Sequence, residues 1–190
     1  MNKNILLCGV GGQGTVLASK LIAAAAMEKG IPVMSAETIG MAQRGGSVFS
    51  HLRMGEGLYS PMIAAHSADI IIGFEPAETV RMLPYLKDGG WVVVSARPIM
   101  PVTAALKGSA YDGREMIEYL KYHVKNLTVV DSDRACREIG SSKVLNMVLL
   151  GAAVRSGALE LTEEDIRRAV RKKVDPRFHA LNDRALAYAK

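Results

Sequence analysis

Apolar and polar segments alternate along this chain in the order expected of strands and helices. A short apolar run, residues 4–8, leads into a glycine-rich turn and then into a long apolar segment, residues 15–29. This order predicts a strand, a turn and a helix. Because the same alternation continues, we expect an α/β fold: a three-layer α/β/α arrangement with a mostly parallel, Rossmann-like sheet and a helical C-terminal part.

Five further segments have the composition of strands: 33–37, 47–54, 69–74, 91–95 and 127–130. Residues 47–54 alternate with a period near two, which is typical of a half-exposed strand, whereas the continuous apolar run at 69–74 predicts a strand buried on both faces. Helices are predicted at 75–87, 112–124 and 142–156, and from Thr162 and Asp175 onward, where capping residues occur.

The first predicted helix is apolar almost all round, so we expect it to be buried on more than one side. In so short a chain, the second side is expected to meet another subunit. A second docking surface is suggested by the basic residues of a late helix, which alternatively form only a solvated face enriched in cations near its C-terminus. These residues are Arg167, Arg168, Arg171, Lys172 and Lys173.

With 190 residues, the chain is expected to form a single domain, 1–190. Its net charge of +5 is mild, and it lacks basic tracts interleaved with aromatic residues, so we expect no nucleic-acid partner. Only two cysteines occur, which cannot by themselves ligate an iron–sulfur cluster or a structural zinc. No signal peptide or membrane-spanning stretch is recognised, and we expect a cytoplasmic protein with no membrane partner.

The turn after the first strand has the spacing G-x-G-x-x-G, formed by Gly9, Gly11 and Gly14. Glycines at these positions allow a tight turn, close approach of the backbone to a ligand, and packing of the helix on the strand. Gly12, Gln13 and Thr15 complete a helix start that favours anions. With Glu37 placed to hold a ribose, a free-standing nucleotide-binding module is one interpretation. The chain has no room for the substrate domain of a dehydrogenase.

A second candidate segment lies at residues 37–47, where Gln43 and Arg44 precede Gly45 and Gly46. A guanidinium beside unhindered backbone N–H groups suits a phosphate or carboxylate, and this turn is expected at the same sheet edge as the first. Alternatively, Arg44 pairs with Glu37 and the glycines only make a bend. We identify no catalytic residue and no metal ligand, because the serines and histidines lack the surrounding motifs.

Together these residues resemble the gamma-type domain of the 2-oxoacid:ferredoxin oxidoreductases. The resemblance covers nearly the whole chain and depends on three segments: 9–14, 37–48 and the helix at 143–152. The pairing of G-x-G-G-Q-G with M-A-Q-R-G-G-S-V is far more specific than either motif alone. As a free-standing chain of this length, it is most similar to the indolepyruvate branch of that family. The pyruvate and 2-oxoisovalerate enzymes have a similar gamma component and remain an alternative.

The resemblance implies oxidative decarboxylation of a 2-oxoacid on thiamine pyrophosphate, with electrons passed through 4Fe-4S clusters to ferredoxin and with CoA as co-substrate. In the indolepyruvate branch the substrates would be aryl pyruvates. This chain lacks both the cluster cysteines and the Gly-Asp-Gly…Asn motif that holds magnesium and the diphosphate. We therefore expect it to hold no cofactor alone. A large alpha subunit would carry thiamine pyrophosphate, Mg and the clusters, and both glycine segments would line the junction with it.

Overall fold

A computed structural model describes residues 2–37, 45–100 and 110–188 of the chain. Its six strands form one sheet: β1 (Lys3–Val10), β2 (Val33–Glu37), β3 (Ser47–Met54), β4 (Ala68–Gly73), β5 (Leu86–Ser95) and β6 (Asn126–Val130). The spatial order is β2-β3-β1-β4-β5-β6. All six segments were predicted as strands, although β5 begins five residues early, because Leu86 pairs with Ala68 before a bulge.

The sheet is mixed, with a parallel half and an antiparallel half. β1, β4, β5 and β6 are parallel, whereas β3 runs antiparallel between β1 and β2. Residues 47–54 are consequently an interior strand and not a half-exposed one, and Val48, Leu52 and Met54 are buried. The alternation of side chains in β3 reflects two differently covered faces of the sheet.

Seven helices are found in the described residues: α1 (Thr15–Glu28), α2 (Pro76–Met82), α3 (Arg114–His123), α4 (Ser132–Ile139), α5 (Leu145–Arg155), α6 (Glu163–Lys173) and α7 (His179–Leu186). One face of the sheet is covered by α1 and α4–α7, and the other by α2, α3 and the segment around Ile63. The three-layer α/β/α prediction and the helical C-terminal part are confirmed. Each of these helices is too short or too polar to span a bilayer.

Two helices differ from the sequence prediction for identifiable reasons. α2 ends at Met82 and continues only as a short 3-10 turn, because Pro84 cannot continue an α-helix. α4 was not predicted, although it has local signals. The Asp131 carboxylate accepts the Arg134 N–H at 3.0 Å, and Gly140 ends the helix at φ 88°. Its buried residues recur at helical spacing, but three of the four, Ser132, Ala135 and Cys136, are small or polar and give a weak apolar signal.

The second side of α1 is covered by this chain itself. α1 packs against the sheet on one side and against α5 and α6 on the other, and it buries Ala18, Leu21, Ile22 and Ala25 completely. The expectation that another subunit covers this helix is therefore wrong for most of its surface. Only Leu17 and Met27 remain as exposed large apolar side chains of α1.

The basic residues of α6 are largely paired within the chain. Arg167 contacts Glu163, Arg168 contacts both Glu28 and Asp165, and Lys172 contacts Glu28 at 2.9 Å. Arg171 lies within 4.0 Å of Glu164 and Asp183. These ion pairs tie α6 to α1 and toward α7, so the solvated-face interpretation describes this helix better than an open docking surface does.

A buried histidine lies on the face of the sheet that is covered by α2 and α3. His51 on β3 is 1% exposed. Its imidazole ring makes T-shaped contacts with the rings of Phe49 and Tyr85. Its Nδ1 accepts the Ile63 N–H at 3.1 Å, which leaves the proton on Nε2, where no described residue accepts it. Burial lowers the pKa of His51, because the charged imidazolium would lose its hydration.

This geometry predicts a pH dependence of stability. The unfolded chain takes up a proton at His51 below about pH 6.5, whereas the folded chain does so only at lower pH, so acid favours unfolding in that interval. The His51 contribution is present above the unfolded pKa and declines by at most about 1.4 kcal/mol per pH unit below it. Urea unfolding of the natural chain and of His51→Phe between neutral and mildly acidic pH measures the difference.

The matched control is His66→Asn, since His66 is exposed and its positive φ of 58° suits asparagine. This variant should keep the pH dependence of the natural chain, and His51→Phe should lose part of it. Parallel stability curves for the natural chain and His51→Phe would refute the assignment.

Candidate functional site

The glycine turn is closed by the side chain of Gln13. The Gln13 Oε1 atom accepts the Val10 N–H at 2.7 Å, and its Nε2 donates to the Phe74 carbonyl at 2.8 Å. One carboxamide thus joins the ends of the adjacent parallel strands β1 and β4. Gly9 makes room for it, because a Cβ there would lie 2.7 Å from both Gln13 Oε1 and Phe74 Cβ. Gly9 is therefore required by close packing.

The two glycine segments of the sequence lie together and are hydrogen-bonded to each other. The Gly11 N–H donates to the Gly46 carbonyl at 2.8 Å, and the Gly45 N–H donates to the Gly11 carbonyl at 3.2 Å. The predicted placement at one sheet edge is therefore confirmed for Gly45 and Gly46. The N–H and C=O groups of Gly11 therefore join the two segments, whereas the sequence predicts that the backbone here approaches a ligand. Gln43 and Arg44 lie outside the described residues.

Within the turn after β1, the positions that need left-handed backbone are Gly12 and Gly14, with φ 101° and 86°. Gly12 is exposed at the tip of the turn. Gly14 precedes Thr15, the buried first residue of α1, and a Cβ on Gly14 would lie 3.1 Å from the Asn146 Nδ2. Asn146 is a buried polar residue of α5, and its Oδ1 accepts the Met147 N–H. α5 is thereby seated directly against the turn.

A cleft of about 500 Å³ lies at this edge of the sheet. Its walls are the glycine turn with the start of α1, the loop after β5, and the segment that leads into α5. Gly14, which lines the cleft, offers no side chain to cap α1, so the first N–H groups of this helix receive no side-chain cap. Arg97 and Lys143 add two cationic side chains. The cleft therefore combines a helix N-terminus with positive charge, which suits an anionic group.

Arg97 and Lys143 were not identified as site residues from the sequence. Arg97 lies in a segment for which no helix or strand was predicted, and its Nε is 3.4 Å from Asp133 Oδ1 at the exposed start of α4. Lys143 belongs to the helix segment that carried the family resemblance, but nothing in the local pattern placed it near Gly12. Among the described residues, Lys143 has no ion-pair partner. Lys143 reaches the cleft because α5 packs against α1 and the sheet, and Arg97 reaches it because β5 ends at the same edge of the sheet.

A buried carboxylate after β4 holds the loop that follows β5, which forms one wall of the cleft. Glu75 follows β4 and is 1% exposed. Its Oε2 accepts the Glu78 N–H at 2.9 Å, and its Oε1 accepts the Tyr111 hydroxyl at 2.5 Å and the Ile99 N–H at 3.4 Å. Burial and the bond to Glu75 raise the pKa of the Tyr111 hydroxyl above its ordinary value. Glu75 was predicted only as a helix start, yet it ties the loop after β5 to β4.

Glu37 does not lie beside the glycine turn. It ends β2 opposite Ser50, and β3 separates β2 from β1. Since neighbouring strands are about 4.8 Å apart, Glu37 lies roughly 10 Å across the sheet from β1, one strand farther than the residue that binds a ribose in a dinucleotide fold. This spacing and the bonded main chain of Gly11 disfavour the nucleotide-module interpretation.

The described residues contain no group of three His, Cys, Asp or Glu side chains that could hold a metal ion. Cys8 and Cys136 are both buried and belong to the cores on opposite faces of the sheet. Burial raises the pKa of each thiol, most strongly that of Cys8. The donor set of the described residues therefore does not fit an iron–sulfur cluster, and no step through such a group is assigned to this chain.

The Gln13 bridge predicts a specific loss of stability in Gln13→Glu. The isosteric carboxylate can still accept the Val10 N–H, but its second oxygen would face the Phe74 carbonyl without a donor. We expect a loss of about 2 kcal/mol, or about 6 °C in Tm for a chain of this size. Urea and thermal unfolding of the isolated chain measure it.

Asn2→Asp is the matched control, because the Asn2 carboxamide likewise bridges a backbone N–H and a carbonyl, those of Glu56, but in an exposed position. Its cost should stay below about 0.5 kcal/mol. An equally small cost in Gln13→Glu would show that the bridge does not hold β1 and β4 together.

Comparison with known proteins agrees with this geometry. Residues 4–190 match the family model described as pyruvate ferredoxin/flavodoxin oxidoreductase. The chain is 36% identical over 187 residues to indolepyruvate oxidoreductase subunit IorB of Thermococcus kodakarensis, covering 96% of this chain and 91% of that one. It is 26% identical to the pyruvate/ketoisovalerate oxidoreductases common subunit gamma of the same organism, covering 86% and 82%.

The fold is also shared with a solved structure, the keto/oxoacid ferredoxin oxidoreductase gamma subunit from Geobacter sulfurreducens. The TM-score is 0.69 at 22% identity, and the superposition covers 97% of this chain and 94% of that one. The match of the family model over nearly the whole chain, together with these relatives, shows that the protein belongs to the pyruvate ferredoxin/flavodoxin oxidoreductase family.

Proposed function

We propose that this chain is the small subunit of an indolepyruvate:ferredoxin oxidoreductase. The observation that carries the proposal is the near full-length identity of 36% to a subunit named for indolepyruvate, against 26% to one named for pyruvate and ketoisovalerate. The assembled enzyme would decarboxylate aryl pyruvates oxidatively to acyl-CoA and reduce ferredoxin. The chain's own contribution would be to complete and shape the active centre.

A larger alpha subunit would carry the cofactors: thiamine pyrophosphate, Mg and 4Fe-4S clusters. Two features of the described residues support this division. They offer no metal-binding group, and both thiols are buried on opposite faces of the sheet. When bound to the partner, thiamine pyrophosphate supplies the carbanion stabilisation that decarboxylation of a 2-oxoacid requires.

We further propose that the cleft beside the glycine turn faces that subunit and binds an anionic group of CoA or of the 2-oxoacid. The uncapped N-terminus of α1 and the cations Arg97 and Lys143 support this assignment, because all three favour negative charge at one place. The exposed tip at Gly12 would approach the partner's bound molecules most closely. Gln43 and Arg44, which adjoin Gly45, belong to the same proposed surface.

The first experiment reconstitutes the complex from this chain and the larger subunit encoded with it. We expect no oxidoreductase activity from this chain alone, and the complex should oxidise indolepyruvate with a kcat/KM at least tenfold above that for pyruvate or 2-oxoisovalerate. Reduction of ferredoxin or of a viologen dye, with CoA present, measures the rate. A tenfold preference for pyruvate or 2-oxoisovalerate would contradict the substrate assignment, and full activity of the large subunit alone would contradict the role of this chain.

The second experiment removes the cations of the cleft from the assembled complex. Arg97→Ala and Lys143→Ala should each raise the KM for CoA or for the oxoacid about tenfold, equivalent to about 1.4 kcal/mol, with kcat within about twofold. Arg44→Ala is tested in the same assay. Steady-state kinetics with each co-substrate varied in turn separate the two anions.

The control is Lys121→Ala, which removes an exposed lysine from α3 on the opposite face of the sheet. Size-exclusion chromatography establishes that each variant still assembles. If the cleft variants assemble normally and both KM values stay unchanged, the cleft shapes the subunit junction without binding a ligand.

A further inference from the structure

β6 forms one edge of the sheet, and no described strand pairs with its outer side. The Val130 carbonyl accepts the Ala96 N–H at 2.9 Å, so the main-chain groups of Val130 point toward β5. Because these groups alternate in direction along a strand, those of Thr128 also point toward β5, and those of Leu127 and Val129 point outward. The edge therefore presents the free N–H and C=O groups of two apolar residues.

This edge lacks the features that usually prevent strand addition. Within Asn126–Val130 there is no charged residue and no proline, and the pairing with β5 is regular from end to end. The Val129 side chain is 37% exposed, which is high for valine in a strand. A groove of about 300 Å³ beside Thr128, Val129 and Val130 keeps the strand accessible from the α5 side of the sheet.

The charges that flank β6 favour a second copy of this chain as the occupant. Lys125 precedes the strand and Asp131 follows it, and neither forms an ion pair with a described residue. Asp131 uses one carboxylate oxygen to cap α4 at the Arg134 N–H. If two copies pair antiparallel about Thr128, Lys125 of each copy lies across from Asp131 of the other.

The register about Thr128 is also the one that matches the apolar residues. It places Leu127 opposite Val129 of the second copy, and both residues have outward-pointing main-chain groups, as a hydrogen-bonded pair requires. Centring the pair on Leu127 would place Lys125 against Val129. Centring it on Val129 would place Asp131 against Leu127. Only pairing about Thr128 combines main-chain hydrogen bonds, contact between apolar side chains and the pairing of opposite charges.

We propose that β6 is a self-association edge at which two copies pair antiparallel about Thr128, joining two six-stranded sheets into one continuous sheet. The interface is isologous, so each favourable contact occurs twice. The edge lies at the far side of the sheet from β2 and presents none of the cleft-lining residues. The larger subunit therefore keeps access to the glycine turn, and the proposal is independent of the substrate assignment.

Disulfide trapping in the full-length chain tests the register. Thr128 lies on the two-fold axis as a non-hydrogen-bonded pair, with Cα atoms about 4.5 Å apart, which a disulfide can span. Thr128→Cys should therefore form a covalent dimer under oxidised glutathione at least ten times faster than Asn126→Cys. The two Asn126 positions would be about 13 Å apart, beyond disulfide reach. The natural chain, whose two cysteines are buried, gives the background rate.

Sedimentation measurements test the charges without a cross-link. Lys125→Glu places two acidic residues together and should raise the dimer Kd at least tenfold. Adding Asp131→Asn, which keeps a residue able to cap α4, should recover most of that loss. Lys121→Glu makes the same charge change on α3 and should leave the Kd unchanged.

Three results would overturn the proposal. These are a chain that stays monomeric at every soluble concentration, a dimer indifferent to Lys125→Glu, and equal trapping at positions 126 and 128. Hydrogen exchange of the Leu127 and Val129 amides, measured with and without the larger subunit, is a further test. Protection that appears only when the larger subunit is added would assign β6 to that subunit and also overturn pairing with a second copy.

Discussion

β1 pairs with β3 over its whole length, from Lys3 opposite Met54 to Val10 opposite Ser47. Because this pairing is antiparallel, β3 begins where β1 ends, and the residues just before β3 are brought to the carboxyl end of β1. Gly45 and Gly46 therefore meet Gly11 and exchange two hydrogen bonds with it. The same insertion places β2, and with it Glu37, one strand farther from the turn. Which residues come together at the site therefore depends on the antiparallel pairing of β1 with β3.

At the carboxyl ends of the parallel strands, here called the carboxyl edge, most polar groups are hydrogen-bonded within the chain. Gln13 joins β1 to β4, and Glu75 joins β4 to the loop after β5. Polar groups buried in this way are costly to leave unpaired, so they fix the turn in one arrangement. What remains for a ligand is the uncapped start of α1 with Lys143, and with Arg97, which also contacts Asp133. A rigid, positively polarised edge is suited to complete a site whose reactive groups are carried by another subunit.

The distribution of helices limits where partners can bind. Five helices enclose one face of the sheet, and ion pairs join α6 to Glu28 of α1 and to Asp183 of α7. α1, which is apolar all round, is consequently an internal helix of this chain. Among the described residues, the carboxyl edge of the sheet and the outer side of β6 keep groups available for partners. The outer side of β6 presents none of the residues that line the cleft.

The sequence by itself determined the α/β class, all six strands, most of the helices and the family, because periodicity, glycine turns and capping residues are local signals. Thr162 with Asp165, for example, forms the predicted capping box. The sequence prediction missed α4, whose buried face is formed mostly by small residues, and it extended α2 too far, because Pro84 ends that helix early.

Only the tertiary structure decided which residues share the site. The sequence placed Glu37 near the glycine turn by spacing, but strand order separates them, since spacing along the chain does not specify which strand lies next to which. Lys143 joins the cleft through the packing of α5, and Arg97 through its place after β5. Glu75 supports this edge through a bond to Tyr111, a residue 36 positions away. Such contacts depend on sheet order and helix packing between distant segments, and no local pattern encodes them.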